Sequence, residues 1–192
     1  ILNLWIRRSQ GFLETEGWAK CDDTTRAAFT SYLEQLRNIG VDIVTRNDSK
    51  LANDFEVKIS DAVRLCREIC SFELRWILRQ YRETEKLSDE LTIWVEMAEK
   101  LTLEDYRMAL ATRAHMRQAL TEVAPTTDAF ITLASVGPAP DIDFHADSGE
   151  AEYAFLTGDP AFNAATSALG APAITLPKIA VNGMPLGVQV IG

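Results

Sequence analysis

The sequence is poor in the residues that most often announce a chemistry. Only two histidines, His115 and His145, occur in 192 residues, and no HExxH pattern or cysteine cluster accompanies them, so no metal site is expected. Cysteine is scarce. Cys21, Cys66 and Cys70 make an odd number, and the last two stand one helical turn apart instead of in a CxxC pair, which predicts reduced thiols in a cytoplasmic protein. No apolar run approaches the roughly 20 residues that cross a bilayer, and the first residues lack the charged-then-apolar layout of a signal peptide. Positive charge is in deficit: 19 Lys and Arg against 28 Asp and Glu give a formal net charge of -9. Such a surface repels phosphate backbones and anionic headgroups, so neither nucleic acid nor a membrane is an expected partner.

What is present is a chain with 47% hydrophobic residues, enough to bury a sizeable core at this length. Both borders read as interrupted strands: Leu2 to Ile6 is already extended in pattern, and Leu186 to Ile191 is an apolar run without a cap or polar tail. Between them three zones are expected. Residues 1–54 read as a strand-helix-strand unit. Its first strand is Asn3 to Ile6, a loop follows around Gly11 and Gly17, and a helix capped by Asp22 or Asp23 runs to Asn38. Gly40 ends that helix, and a short strand spans Val41 to Val44. Residues 55–124 are helical, with no Pro or Gly from Phe55 to Val123. Three helices fit there, from about Ile59, Ser88 and Thr102. The first should carry Val63, Cys66, Cys70 and Ile77 inward, and the last should open on a Thr102–Asp105 capping box.

Residues 125–192 change pattern again. Ala129 to Leu133 reads as a strand, Val136 to Asp143 as a Pro-rich loop, and Pro160 as the first residue of a short helix capped by Asp159. Ala173 to Leu176 is a further strand, and Asn182-Gly183 is a two-residue hairpin turn into the last one.

This tail is where the sequence becomes specific. DAFITLASVGPAP (Asp128 to Pro140), TGDPAFNAATSALGAPAITLP (Thr157 to Pro177) and NGMPLGVQVIG (Asn182 to Gly192) follow one another in that order. Together they resemble the C-terminal part of amidase signature enzymes. Leu169, Gly170, Pro172, Ala173 and Pro177 fall on one family motif, and Gly183, Pro185, Gly187, Gln189 and Gly192 on another. The upstream ILNLWIRRSQGF stretch is similar more faintly, and the long helices match only in character. The resemblance implies an α/β fold, part of the amidase signature α/β/α architecture, in which a mixed β-sheet is covered by helices with a long-helix insertion. It also makes the whole of 1–192 the C-terminal part of a single domain.

The resemblance implies hydrolysis of a non-peptide amide carbon–nitrogen bond through a Ser, a bridging cis Ser and a Lys, without metal or organic cofactor. Those residues belong to a Gly- and Ser-rich segment nearer the family's N-terminus. Here no Ser-Ser and no Gly-Gly pair exists, so no catalytic residue carries over and the chain alone is expected to be inactive. The implied partners are a small-molecule amide and the N-terminal half of the same protein, with a homodimer left open. Part of the pocket does carry over: Ser135, Val136, Thr157, Gly158, Asp159, Phe162 and Asn163 are the expected substrate-binding residues. Helix capping by Asp159 and core packing by Phe162 compete with that role. Two other functions remain open, a glutamine-hydrolysing subunit of an amidotransferase complex and a non-catalytic interaction module.

Rival constellations are weaker. His145 lies among Asp143, Asp147 and Ser148, yet neighbours along one loop seldom reach the geometry of a triad. Cys66 and Cys70 suit an apolar helix face. Arg64, Arg67, Arg75, Arg79 and Arg82 alternate with Glu68, Glu73 and Glu83, the pattern of a solvated, ion-paired surface.

Overall fold

The structure, a computed structural model, describes residues 9–84, 86–139 and 159–192. Five strands form one mixed sheet in the order β2-β1-β3-β5-β4, where β1 is Ser9–Phe12, β2 Asp42–Val44, β3 Ala129–Leu133, β4 Ala173–Val181 and β5 Met184–Ile191. β1 runs parallel to β2 and β3, whereas β5 is antiparallel to both β3 and β4. The helices are α1 (Gly17–Lys20), α2 (Asp23–Asn38), α3 (Lys50–Ile59), α4 (Ala62–Glu83), α5 (Asp89–Lys100), α6 (Leu103–Val123) and α7 (Asn163–Leu169).

Strand alternation sorts side chains onto two faces. Phe12, Ile131, Leu133 and Val188 meet Cys21, just after α1, and Phe29 and Leu33 of α2 on one side. Phe130 and Ile191 meet Phe55, Ile59, Leu65, Met116 and Ala164 of α3, α4, α6 and α7 on the other. β3 is buried on both faces, which explains why its only polar side chain, Thr132, is a buried hydroxyl bonded to the Leu13 carbonyl. The result is the expected α/β/α arrangement around a mixed sheet.

Locally encoded features match the sequence. The Asp22 carboxylate accepts the Thr25 N–H, Gly40 takes φ +86 after α2, and Thr102 and Asp105 form the capping box. Asn182 and Gly183 adopt φ +52 and +80, the two left-handed residues of a type I′ hairpin.

Four expectations need correction. Ser9–Phe12 is a strand where a loop was expected. Gly11 suits a crowded position, since a Cβ there would sit 2.4 Å from the Phe130 ring. The strand expected at Asn3 to Ile6 lies outside the described residues. An additional helix, α3, starts at Lys50 behind a Ser49 cap and ends at Ser60, whose hydroxyl donates to the Val57 carbonyl, so the helical zone begins before residue 55. On α4 the buried face is Ala62, Leu65 and Ile69, while Cys70 and Ile77 are exposed, because only the first half of α4 packs under the sheet. Finally, α7 begins at Asn163, not Pro160: the Asp159 carboxylate accepts the Ala161 N–H in a turn that runs into the helix, where the Pro160 carbonyl accepts the Ala164 N–H at 2.7 Å.

Candidate functional site

In sheets built from parallel strands, sites form beyond the strands' carboxyl ends. Three segments converge there: Leu13–Gly17 after β1, Ala134–Pro138 after β3, and the turn Asp159–Phe162 entering α7. An open cleft of about 560 Å³ between Ser9, Arg37, Gly40, Asp42 and Thr126 lies at the opposite, amino end of these strands.

The first segment is held by side chains from distant elements. Leu13 donates its N–H to the Ile131 carbonyl at 3.0 Å, and the buried Thr132 hydroxyl donates to the Leu13 carbonyl at 2.7 Å. Glu56, only 4% exposed, reaches from α3 to accept the N–H groups of Glu14 and Thr15 at 2.5 and 3.1 Å. Burial pushes the Glu56 carboxyl up from the usual range, against those two hydrogen bonds and the Arg46 charge. Thr15 takes φ +52, rare for a β-branched residue, and its hydroxyl donates to the Ala161 carbonyl at 3.3 Å. Glu16, whose carboxyl is likewise raised mainly by burial, accepts the Val63 N–H at 3.1 Å. It thereby serves the open N-terminus of α4, which Asp61 does not cap with its side chain.

The expected site residues divide as follows. Ser135 is half-buried and its hydroxyl donates to the Gly137 carbonyl at 2.6 Å; Val136 packs against the α2-side core. Asp159 pairs with Lys20 at 3.0 Å in addition to binding the Ala161 N–H. Asn163 donates its Nδ2 to the Ala134 carbonyl at 3.0 Å, which ties α7 to the residue before Ser135. Phe162 has no exposed surface and lies against Gly17, so it supports the turn from inside the core. Thr157 and Gly158 lie outside the described residues.

Sequence reading missed Glu56, Thr15 and the link from Asn163 to Gln189, whose Nε2 donates to Asn163 Oδ1 at 2.9 Å. Only Gln189 carried a signal, its place in the last motif. Among the described residues no group of His, Cys, Asp or Glu side chains is arranged to hold a metal ion, and no helix is long and apolar enough to cross a membrane. The arrangement places a half-buried hydroxyl, an exposed amide and an ion-paired carboxylate on segments at the same end of the sheet. Ser135 has no base at hydrogen-bond distance among the described residues, since its hydroxyl is directed to a backbone carbonyl.

Comparison with solved structures finds the same fold. An amidase crystal structure superposes with a TM-score of 0.76 at 22% identity, covering 97% of this chain and 42% of that one. The 6-aminohexanoate cyclic dimer hydrolase gives 0.69 at 20% identity over 96% of this chain and 41% of its own. A Glutamyl-tRNA(Gln) amidotransferase chain from Thermotoga maritima gives 0.61 at 18% identity, over 96% of this chain and 38% of its own. The chain thus spans about two fifths of the length of these proteins. No curated protein sequence matches it. The family model named Amidase matches residues 10–192, nearly the whole sequence, and the chain belongs to that family.

Proposed function

We propose that this chain is the C-terminal part of an amidase that hydrolyses a non-peptide carbon–nitrogen bond through an acyl-enzyme in the cytoplasm. The nucleophilic Ser, the bridging Ser and the Lys base then come from residues beyond these 192. The observation that carries this reading is the pairing of a family match over 10–192 with a sequence that has no Ser-Ser or Gly-Gly pair. Acyl transfer needs a nucleophile, a base and preorganised oxyanion donors together. In this division of labour the segments around Ser135, Asp159 and Asn163 form one wall of the substrate pocket, and the N-terminal half is the chain's first partner.

The test is reconstitution. The purified chain should release no ammonia or amine from simple aliphatic or aryl amides, and the intact protein, or the chain co-expressed with its N-terminal half, should do so. Turnover by the chain alone would overturn the proposal. Ammonia release from glutamine and from no simple amide would replace it with the amidotransferase reading.

A further inference from the structure

Gln189 sits near the centre of the sheet on β5, 6% exposed, opposite Thr132 of β3 and Thr175 of β4. Its side chain is the middle of a chain of three hydrogen bonds. Thr166 Oγ1 donates to Gln189 Oε1 at 2.5 Å, Gln189 Nε2 donates to Asn163 Oδ1 at 2.9 Å, and Asn163 Nδ2 donates to the Ala134 carbonyl at 3.0 Å. The direction of this chain is fixed at one end. A backbone carbonyl only accepts, so Asn163 must turn its NH2 to Ala134 and its oxygen to Gln189. Gln189 must then present its NH2 to Asn163 and its oxygen to Thr166. The buried amide of Gln189 is thus matched to the one orientation of the exposed Asn163 amide that reaches Ala134, and Asn163 holds the residue preceding Ser135. Ala134 is tied from its other side as well, its N–H donating to the Gly187 carbonyl at 3.0 Å on the same strand as Gln189.

We propose that Gln189 is a positioning residue for the substrate pocket, acting through Asn163 on the Ala134–Gly137 segment. This rests on the assignment of that segment to the pocket wall. An apolar residue at 189 would fill the space equally well, but it would leave the Thr166 hydroxyl and the Asn163 oxygen without their partner and free Asn163 to rotate away from Ala134. A carboxylate would do more. It accepts only, so Asn163 would have to reverse and set its oxygen against the Ala134 carbonyl. The side chains placed beside Gln189 by register and hydrogen bonding, Thr132, Thr175, Thr166 and Asn163, carry no charge that would offset this.

Hydrogen–deuterium exchange on the 192-residue chain tests the relay apart from activity. In Gln189→Glu the peptide spanning Ala134 to Gly137 should exchange about tenfold faster than wild type at the same pH of about 9, where the carboxyl is ionised despite its burial. It should approach the wild-type rate at about pH 4, where a protonated carboxyl can again donate to Asn163. The peptide across α2 should not change. Gln189→Met, which has no titration, should be faster at both pH values, and it carries the test if the Glu variant does not fold. Wild-type exchange of the Ala134 peptide in Gln189→Met, or in Gln189→Glu at about pH 9, would overturn the relay. In the intact enzyme Gln189→Glu should raise KM about tenfold with kcat within about twofold, whereas a merely structural role would lower the melting temperature and leave KM alone. An unchanged KM in an active enzyme would overturn the positioning role. An inactive wild-type enzyme would overturn the amidase reading only, and the exchange result would still judge the relay.

Discussion

Gly17 opens α1 against the ring of Phe162, and the pair lends itself to a quantitative test. A Cβ built on Gly17 would lie 2.6, 2.7 and 2.9 Å from three carbons of that ring, and the ring cannot retreat because Phe162 is enclosed by the core around Phe12, Phe29, Leu133 and Val188. In an open helix Gly→Ala would stabilise by up to about 1 kcal/mol, so a net loss measures the clash. Overpacking of this kind costs about 1–3 kcal/mol. Phe162→Ala should cost about 3–5 kcal/mol through lost burial and a residual cavity. The double variant is the decisive one: with the ring gone the new methyl fits, so Gly17→Ala should cost nothing further and the two changes should couple by about 1–3 kcal/mol. Urea unfolding of the chain followed by tryptophan fluorescence reads all of this, since Trp18 lies 5.1 Å from the Phe12 ring. Gly137→Ala is the control, because a Cβ there would come no closer to a neighbour than 3.9 Å, from Thr25 Oγ1. Additive costs for Gly17→Ala and Phe162→Ala would refute the contact.

Two further outcomes follow from the ionisable groups of the site. Because burial raises the Glu56 carboxyl, the folded chain holds that proton more tightly than the unfolded one; the stability it contributes is complete below about pH 4.3 and is lost as pH rises through the raised value. Unfolding free energy of wild type minus Glu56→Gln should therefore fall as pH rises above the ordinary carboxylate range, and parallel pH profiles would show that Glu56 titrates normally. For Asp159, Asn keeps an acceptor for the Ala161 N–H and loses only a half-exposed ion pair with Lys20, a change under about 1 kcal/mol. If the carboxylate also orients a polar substrate end, Asp159→Asn in the intact enzyme lowers kcat/KM tenfold or more, about 1.4 kcal/mol, and unchanged kinetics would leave it structural.

How much of this was legible depended on the range of the interactions. The Asp22 cap, the Thr102–Asp105 box and the Asn182-Gly183 turn involve residues within three positions of each other, and each was readable. β1 was not, because nothing in Ser9-Gln10-Gly11 favours extension by itself; parallel pairing with β2 and β3 on both sides makes it a strand. The inward face of α4 was misread for a related reason. Helical periodicity names a stripe, but only the packing of α3, α6 and α7 decides that Leu65 and Ile69 are covered and Ile77 is not. In the site, Ser135, Asp159 and Asn163 came from motif resemblance. Glu56 and Thr15 had no signal, since one depends on a contact across 41 residues and the other on a strained φ.

The same distinction explains how the site is built. Each segment at the sheet's carboxyl end is fixed by a side chain that satisfies a backbone group far away in sequence: Glu56 on Glu14 and Thr15, Glu16 on Val63, Thr132 on Leu13, Asn163 on Ala134. A backbone group that loses such a partner inside the protein costs about 1–3 kcal/mol, whereas an exposed apolar side chain such as Ile77 contributes little. The segments around Ser135 and Asp159 are thus held in place by dispersed polar residues whose removal would be felt locally, through the orientation of a loop, before the hydrophobic layers around Phe29 and Met116 register any change. Segments held in this way depend on a few backbone-directed contacts more than on the identity of the exposed side chains beside them.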